Sequence, residues 1–300
     1  MKNKFLILLF LFISIDLSTV VAEQSRFEVK NIELTNSGEN INAYNGKFIA
    51  TDKNLIISAE KFSYNKKDKI LNVFIGTAEL KLNNLLIKFD KAYYNENDFK
   101  LTAEGNININ DSENNLLIKS DLITIDRNRN FITAEGNINI NDSENNLLIK
   151  SDLITIDRNR NFITAEGNIN INDSENNLLI KSDLITIDRN RNFITAEGNI
   201  NINDSENNLL IESKIISYDR KNHIIKSNKN SSIKDNFNNI FTVSEFIFDD
   251  NKKIIKIKNS SFFDRENNIL NVKSAFIDIN SNKLIGKDIS IDLNNKSLQR

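Results

Sequence analysis

The chain has 300 residues with a formal charge of −2, from 39 basic and 41 acidic side chains, and it contains no cysteine, no proline and one histidine. The missing cysteines exclude disulfides, thiolate chemistry and a lipidated N-terminal cysteine. The balanced charge excludes the basic footprint of a nucleic-acid binder.

In chain order, Lys2 and Lys4 precede an apolar run over 5–13, and Val20-Val21-Ala22 offers short residues before a cut. This predicts a secretory signal peptide over 1–22, cleaved after Ala22. Asp16 interrupts the run long before the ~20 apolar residues that a membrane span needs. The leader carries Lys2, Lys4 and Asp16, net +1, so the exported chain has a formal charge of −3. Residues 23–300 read as one repeat domain.

Two loose units come first. Ile57, Ala59, Phe62 and Tyr64, and then Ile87, Phe89, Ala92 and Tyr94, place two apolar or small residues in one phase of alternation and two in the other. After them, residues 102–132, 133–163 and 164–194 are identical, and a fourth copy departs at Glu212. Gly105, Gly136, Gly167 and Gly198 mark the 31-residue period. A period of this size means stacked units, none able to bury its apolar face alone. Each unit carries five acids and three bases; in the first, Glu104, Asp111, Glu113, Asp121 and Asp126 stand against Lys119, Arg127 and Arg129.

Within a unit, Ile132, Ala134, Gly136, Ile138 and Ile140 alternate with Thr133, Glu135, Asn137, Asn139 and Asn141, which predicts a strand with one dry face. The other half, 116–126, changes phase: Ile118 and Ser120 share one side, Ile123 and Ile125 the other. A slip at Asp121-Leu122 predicts a bulge or corner that keeps both halves of the apolar set together. Asp126-Arg-Asn-Arg-Asn130 and Asp142-Ser-Glu-Asn-Asn146 are the turns. Looser copies follow at Ile211, Ser213, Ile216 and Tyr218 and at Ser274, Ile277 and Ile279.

The expected fold is all-β, a long antiparallel meander folded at its corners into an open β-jellyroll, or β-taco, built from two-strand repeats. Its apolar interior would be a groove. The candidate lining, suited to acyl chains, is Phe62, Tyr64, Phe89, Tyr94, Ile118, Ile123, Ile125, Ile132, Ala134, Ile138, Ile140, Ile149, Ile154, Ile156, Ile169 and Ile171. The unpaired sheet edges invite strand addition.

No catalytic residue is expected, since His223 lies in a turn-like stretch with no nucleophile paired to it. The ladders Glu104, Glu135, Glu166 and Asp121, Asp152, Asp183 read as a solvated face. The loop 110–115 is oxygen-rich but lacks the glycine of a calcium loop. The repeated glycine either relieves a bend or widens the groove for a ligand.

Ser120-Asp121, Ala59-Glu60 and Phe89-Asp90 in one strand, with Ala103-Glu-Gly-Asn-Ile107 and its copies in the next, resemble the OstA/LptA-like family of lipopolysaccharide transport over roughly residues 27–295. The likeness is greatest to the periplasmic N-terminal domain of that family's outer-membrane assembly protein. The resemblance implies a groove for the acyl chains of lipopolysaccharide and passage of that lipid across the periplasm toward the outer membrane. It also implies head-to-tail edge pairing with other transport components or an outer-membrane barrel, without cofactor or enzymatic activity. An exported structural or adhesin-like repeat protein is the alternative.

Overall fold

The computed structural model describes residues 24–263, 268–281 and 283–292, so the expected leader lies outside the described residues. Twenty strands form one antiparallel sheet. The first five are β1 (Arg26–Thr35), β2 (Asn40–Ile49), β3 (Leu55–Asn65), β4 (Ile70–Leu80) and β5 (Leu85–Asn95). The array supplies β6 (Lys100–Asp111), β7 (Leu116–Asp126), β8 (Phe131–Asp142), β9 (Leu147–Asp157), β10 (Phe162–Asp173), β11 (Leu178–Asp188), β12 (Phe193–Asp204) and β13 (Leu209–Asp219). Each of these pairs with the next in sequence, the meander that short polar turns dictate.

After the array the strands break at their corner. β14 (Ile224–Ser227) and β15 (Ser231–Lys234) both pair with β13, so together they continue the meander as one interrupted strand. β16 (Ile240–Val243) and β17 (Glu245–Asp249) form the next, and β18 (Ile254–Phe263), β19 (Ile269–Asp278) and β20 (Lys283–Asp292) complete the sheet.

The corner is built by a two-against-one bulge. Glu104 pairs with Leu122 and Ile107 with Ser120, so Gly105 and Asn106 together face Asp121. Both take left-handed backbone, with φ of 76° and 48°, which glycine and asparagine tolerate best. Asp121 turns out toward the next copy and accepts a 2.7 Å hydrogen bond from Asn137 Nδ2. The extra residue in one strand restores the phase that the other loses between Ser120 and Ile123, and both halves face inward.

Each strand is thereby folded into two half-strands, and the sheet into two walls. The first wall runs from the corner to the Asp-Arg-Asn-Arg-Asn turns, the second from the corner to the Asp-Ser-Glu-Asn-Asn turns. Their inward residues form one apolar core from Phe27 to Leu284. In the last units the phase differs from the expected one: Val272 and Ala275 are buried, whereas Ser274 pairs with Lys258 and Lys287 on the outward face.

Candidate functional site

The interior is the candidate site, and all the residues expected to line it do face it. Ile118, Ile123, Ile140, Ile149, Ile154, Ile171 and Phe62 have no measurable exposure, and Tyr64 packs against the core. Apolar side chains fill the space between the walls. At the first end, Phe27 packs edge-on at 5.2 to 5.9 Å against Phe48, Phe62 and Tyr64, and Tyr94 lies 6.2 Å from Phe48. These rings plug that end of the core. Tyr94 is pushed up to about 12 by burial, which outweighs the pull of the Arg127 guanidinium beside it.

The long side of the fold, opposite the corner, carries a feature absent from the expected lining. Arg158, in a turn of the first wall, reaches across to the second wall and donates through Nε and Nη2 to both oxygens of Asp111, at 2.9 and 3.1 Å. It also donates to the carbonyl of Asn83 at 2.9 Å, to Asn130 Oδ1 at 3.0 Å and to Glu113 at 2.9 Å. Arg189 repeats this on Asp142 and Arg220 on Asp173. In each pair the two residues lie 47 positions apart. Planar two-point pairing of this kind is the strongest geometry available to arginine. The Arg158 and Asp111 side chains are 2% and 0% exposed, so water does not screen the pair.

These contacts form a seam that spans the mouth of the groove along the array. At the first end Arg127 pairs instead with Asp52 and donates to Tyr94 Oη at 2.9 Å. At the other end Lys253 bridges Glu206 and Asp250, each at 2.7 Å, with its side chain 22% exposed. Burial alone would draw Arg189 and Arg220 down; their bonds to Asp142 and Asp173 outweigh it and leave both raised. Asp204 has no arginine, and burial holds its carboxyl above the ordinary aspartate value despite two hydrogen bonds from Asn207.

The seam rests on ordered turns. Asp111 Oδ1 accepts from the Asn114 amide and Asp126 Oδ1 from the Arg129 amide, and Asn115 and Asn130 close the two turns at positive φ. Asn130 Nδ2 donates to Asn159 Oδ1 and Asn161 Nδ2 to Asn190 Oδ1, both at 3.0 Å, linking copy to copy. Asp111, part of the oxygen-rich loop, is thus committed to Arg158 and Asn114. Among the described residues no cluster of His, Cys, Asp and Glu is arranged to hold a metal. His223 occupies a turn at φ 54°.

The repeated glycine serves the bend. A Cβ at Gly136 would stand 2.7 Å from Asp121 Oδ2, on the outward side, so the missing side chain leaves no space in the interior. The seam arginines escaped sequence reasoning because they were counted only as turn charges. The signal that could have found them is the constant offset between the first Arg of one turn and the first Asp of the other. No model of a known protein family matches the chain, and no curated protein is significantly similar to it in sequence.

Proposed function

We propose that the protein is a non-enzymatic lipid carrier of the lipopolysaccharide-transport kind. It would hold acyl chains between its walls and pass them across the periplasm toward the outer membrane. The observation that supports this reading is a single apolar interior shared by all units between two unpaired sheet edges. The outer strands expose Ile32 and Leu34 at one edge and Ile285, Ile289 and Ile291 at the other, a surface suited to strand addition by another transport component or a barrel.

Magnitudes decide where lipid enters. A chain of about 12 carbons gains close to 10 kcal/mol at ~0.8 kcal/mol per buried methylene, before ordering costs. Parting one buried Arg–Asp pair costs about 3–5 kcal/mol. One chain can therefore open one or two units but not the whole array, which favours loading at the ends. The Lys253 clamp is part-exposed and the Arg127 clamp has a different partner.

A second reading, an exported structural or adhesin-like repeat protein, is favoured by the filled core and the seam. A photoactivatable benzoylphenylalanine at Ile138, facing inward, and another at Asn139, facing outward, separate the two readings. Capture of lipopolysaccharide in membrane-containing cells from position 138 alone supports transport. Equal capture from both positions, or none, supports the structural reading.

A further inference from the structure

The outward face of the first wall changes chemistry where the array ends. Along the array, cross-strand partners Thr124, Thr133 and Thr155 form an outward row, repeated at Thr164, Thr186 and Thr195. Past β13 the same row continues as Lys226, Ile247, Lys256, Phe276 and Ile285. The neighbouring outward row, which holds Glu135 and Glu166 in the array, becomes Glu245, Lys258, Ser274 and Lys287.

These two rows line a cleft of about 790 Å³, within the ~300–1,000 Å³ range of small-molecule sites. Ile247, Phe276 and Ile285 are 43%, 53% and 69% exposed there, a contiguous apolar floor rather than scattered single residues. Glu245, the one acid among the described lining residues, is held by Lys258 at 2.7 Å. Lys226, Lys256 and Lys287 give the cleft its remaining charge, and Lys256 Nζ lies 5.8 Å from the Phe276 ring centroid.

We propose that this cleft binds one molecule of an anionic lipid, with its hydrocarbon chain on Ile247, Phe276 and Ile285 and a phosphate headgroup among Lys226, Lys256 and Lys287. Charge complementarity and the paired apolar floor select this occupant; a neutral or acidic amphiphile partner surface such as the array's threonine and glutamate rows offers neither. A concave site also suits a single chain better than the surface of a bilayer. The site lies on the opposite side of the sheet from the apolar interior and does not depend on lipid entering there.

The chain has no tryptophan, so Phe276→Trp, at a half-exposed position, provides a single fluorescent reporter, with far-UV circular dichroism checking its fold. Dodecyl phosphate below its micelle concentration should shift the emission to the blue and saturate at one equivalent. Dodecyl maltoside should bind at least tenfold more weakly, and inorganic phosphate should give no response. Lys226→Gln, Lys256→Gln and Lys287→Gln in the reporter background should each weaken binding about threefold, and Ile285→Ser should weaken it without altering charge.

Equal affinity for the maltoside, a response to phosphate alone, insensitivity to the lysine changes, or binding to phosphatidylglycerol vesicles without binding to the monomer would each overturn the proposal. Crosslinking at Ile138 reads the other side of the sheet. Failure of either site therefore leaves the other standing.

Discussion

Replacing Arg189 by methionine tests whether the seam holds the walls together. Arg189 donates to Asp142 at 2.8 and 3.0 Å, to the Asn114 carbonyl at 2.8 Å, to Asn161 at 2.7 Å and to Glu144 at 3.1 Å. Its side chain is 2% exposed and that of Asp142 is 0% exposed, so the pair needs no discount for solvent. Truncation leaves a buried carboxylate with only the two bonds from Asn145. The expected loss is about 3–5 kcal/mol, with Glu144, 57% exposed, contributing ~1 kcal/mol at most. Adding Asp142→Asn removes the stranded charge but keeps an acceptor for the Asn145 amide. The double variant should thus recover roughly 2 kcal/mol, seen as coupling in a double-mutant cycle. Urea unfolding by circular dichroism gives the global value. Because a stacked array can open locally, hydrogen exchange should show lost protection in the turns holding Asn114 and Asp142. A single-variant cost below ~1 kcal/mol, or strict additivity in the double variant, would refute the clamp.

Two other predictions concern the corner and the end of the seam. Gly136→Ala should cost at least ~1–2 kcal/mol, because φ of 72° strains any Cβ and this one meets Asp121; Asn137→Gly, at φ 46°, should be close to neutral in the same urea assay. Asp204→Asn should raise the urea midpoint at pH 7, where wild type must keep a buried carboxylate with no arginine. The sign follows from a folded pKa above the unfolded one: such a group adds stability below the unfolded pKa and loses it as pH rises through the folded pKa. The advantage of the asparagine variant should therefore vanish on acidification, and a midpoint lower than wild type at pH 7 would contradict the reasoning.

The meander and its corner were legible because both are local. Alternation in 131–141 and the slip between Ser120 and Ile123 place every inward residue of the array correctly, and asparagine-rich turns mark each reversal. What stayed hidden was non-local. The Arg158–Asp111 pair joins turns 47 residues apart on different walls, and nothing in either turn names the other. Its offset depends on how far one wall slides across the other as the sheet twists, about three strands or ~14 Å at 4.7–4.9 Å per strand. The cleft was hidden for a related reason. Lys226, Ile247, Lys256, Phe276 and Ile285 are scattered along the chain and meet only through strand register, and the broken corner of β14 to β17 blurs the pattern that would have aligned them.

The same offset explains why the perfect array has weaker ends than middle. Duplication in whole units keeps every residue 47 positions from its partner, so each added copy adds a clamp as well as two strands. A clamp needs both partners inside the array, however. The position 47 before Arg127 is Leu80, and this arginine turns to Asp52; the position 47 after Asp204 is Asn251, and this aspartate is left with Asn207 and a raised pKa. Lys253, one of the last bridging cations, sits on a flexible stem and is part-exposed, a poorer clamp than a buried guanidinium. Lengthening the array thus stiffens its centre and moves the weak seams outward to its boundaries. Those boundaries flank the aromatic plug at one end and the lysine-lined cleft at the other, which makes them the places where walls can part and a lipid can be handed over.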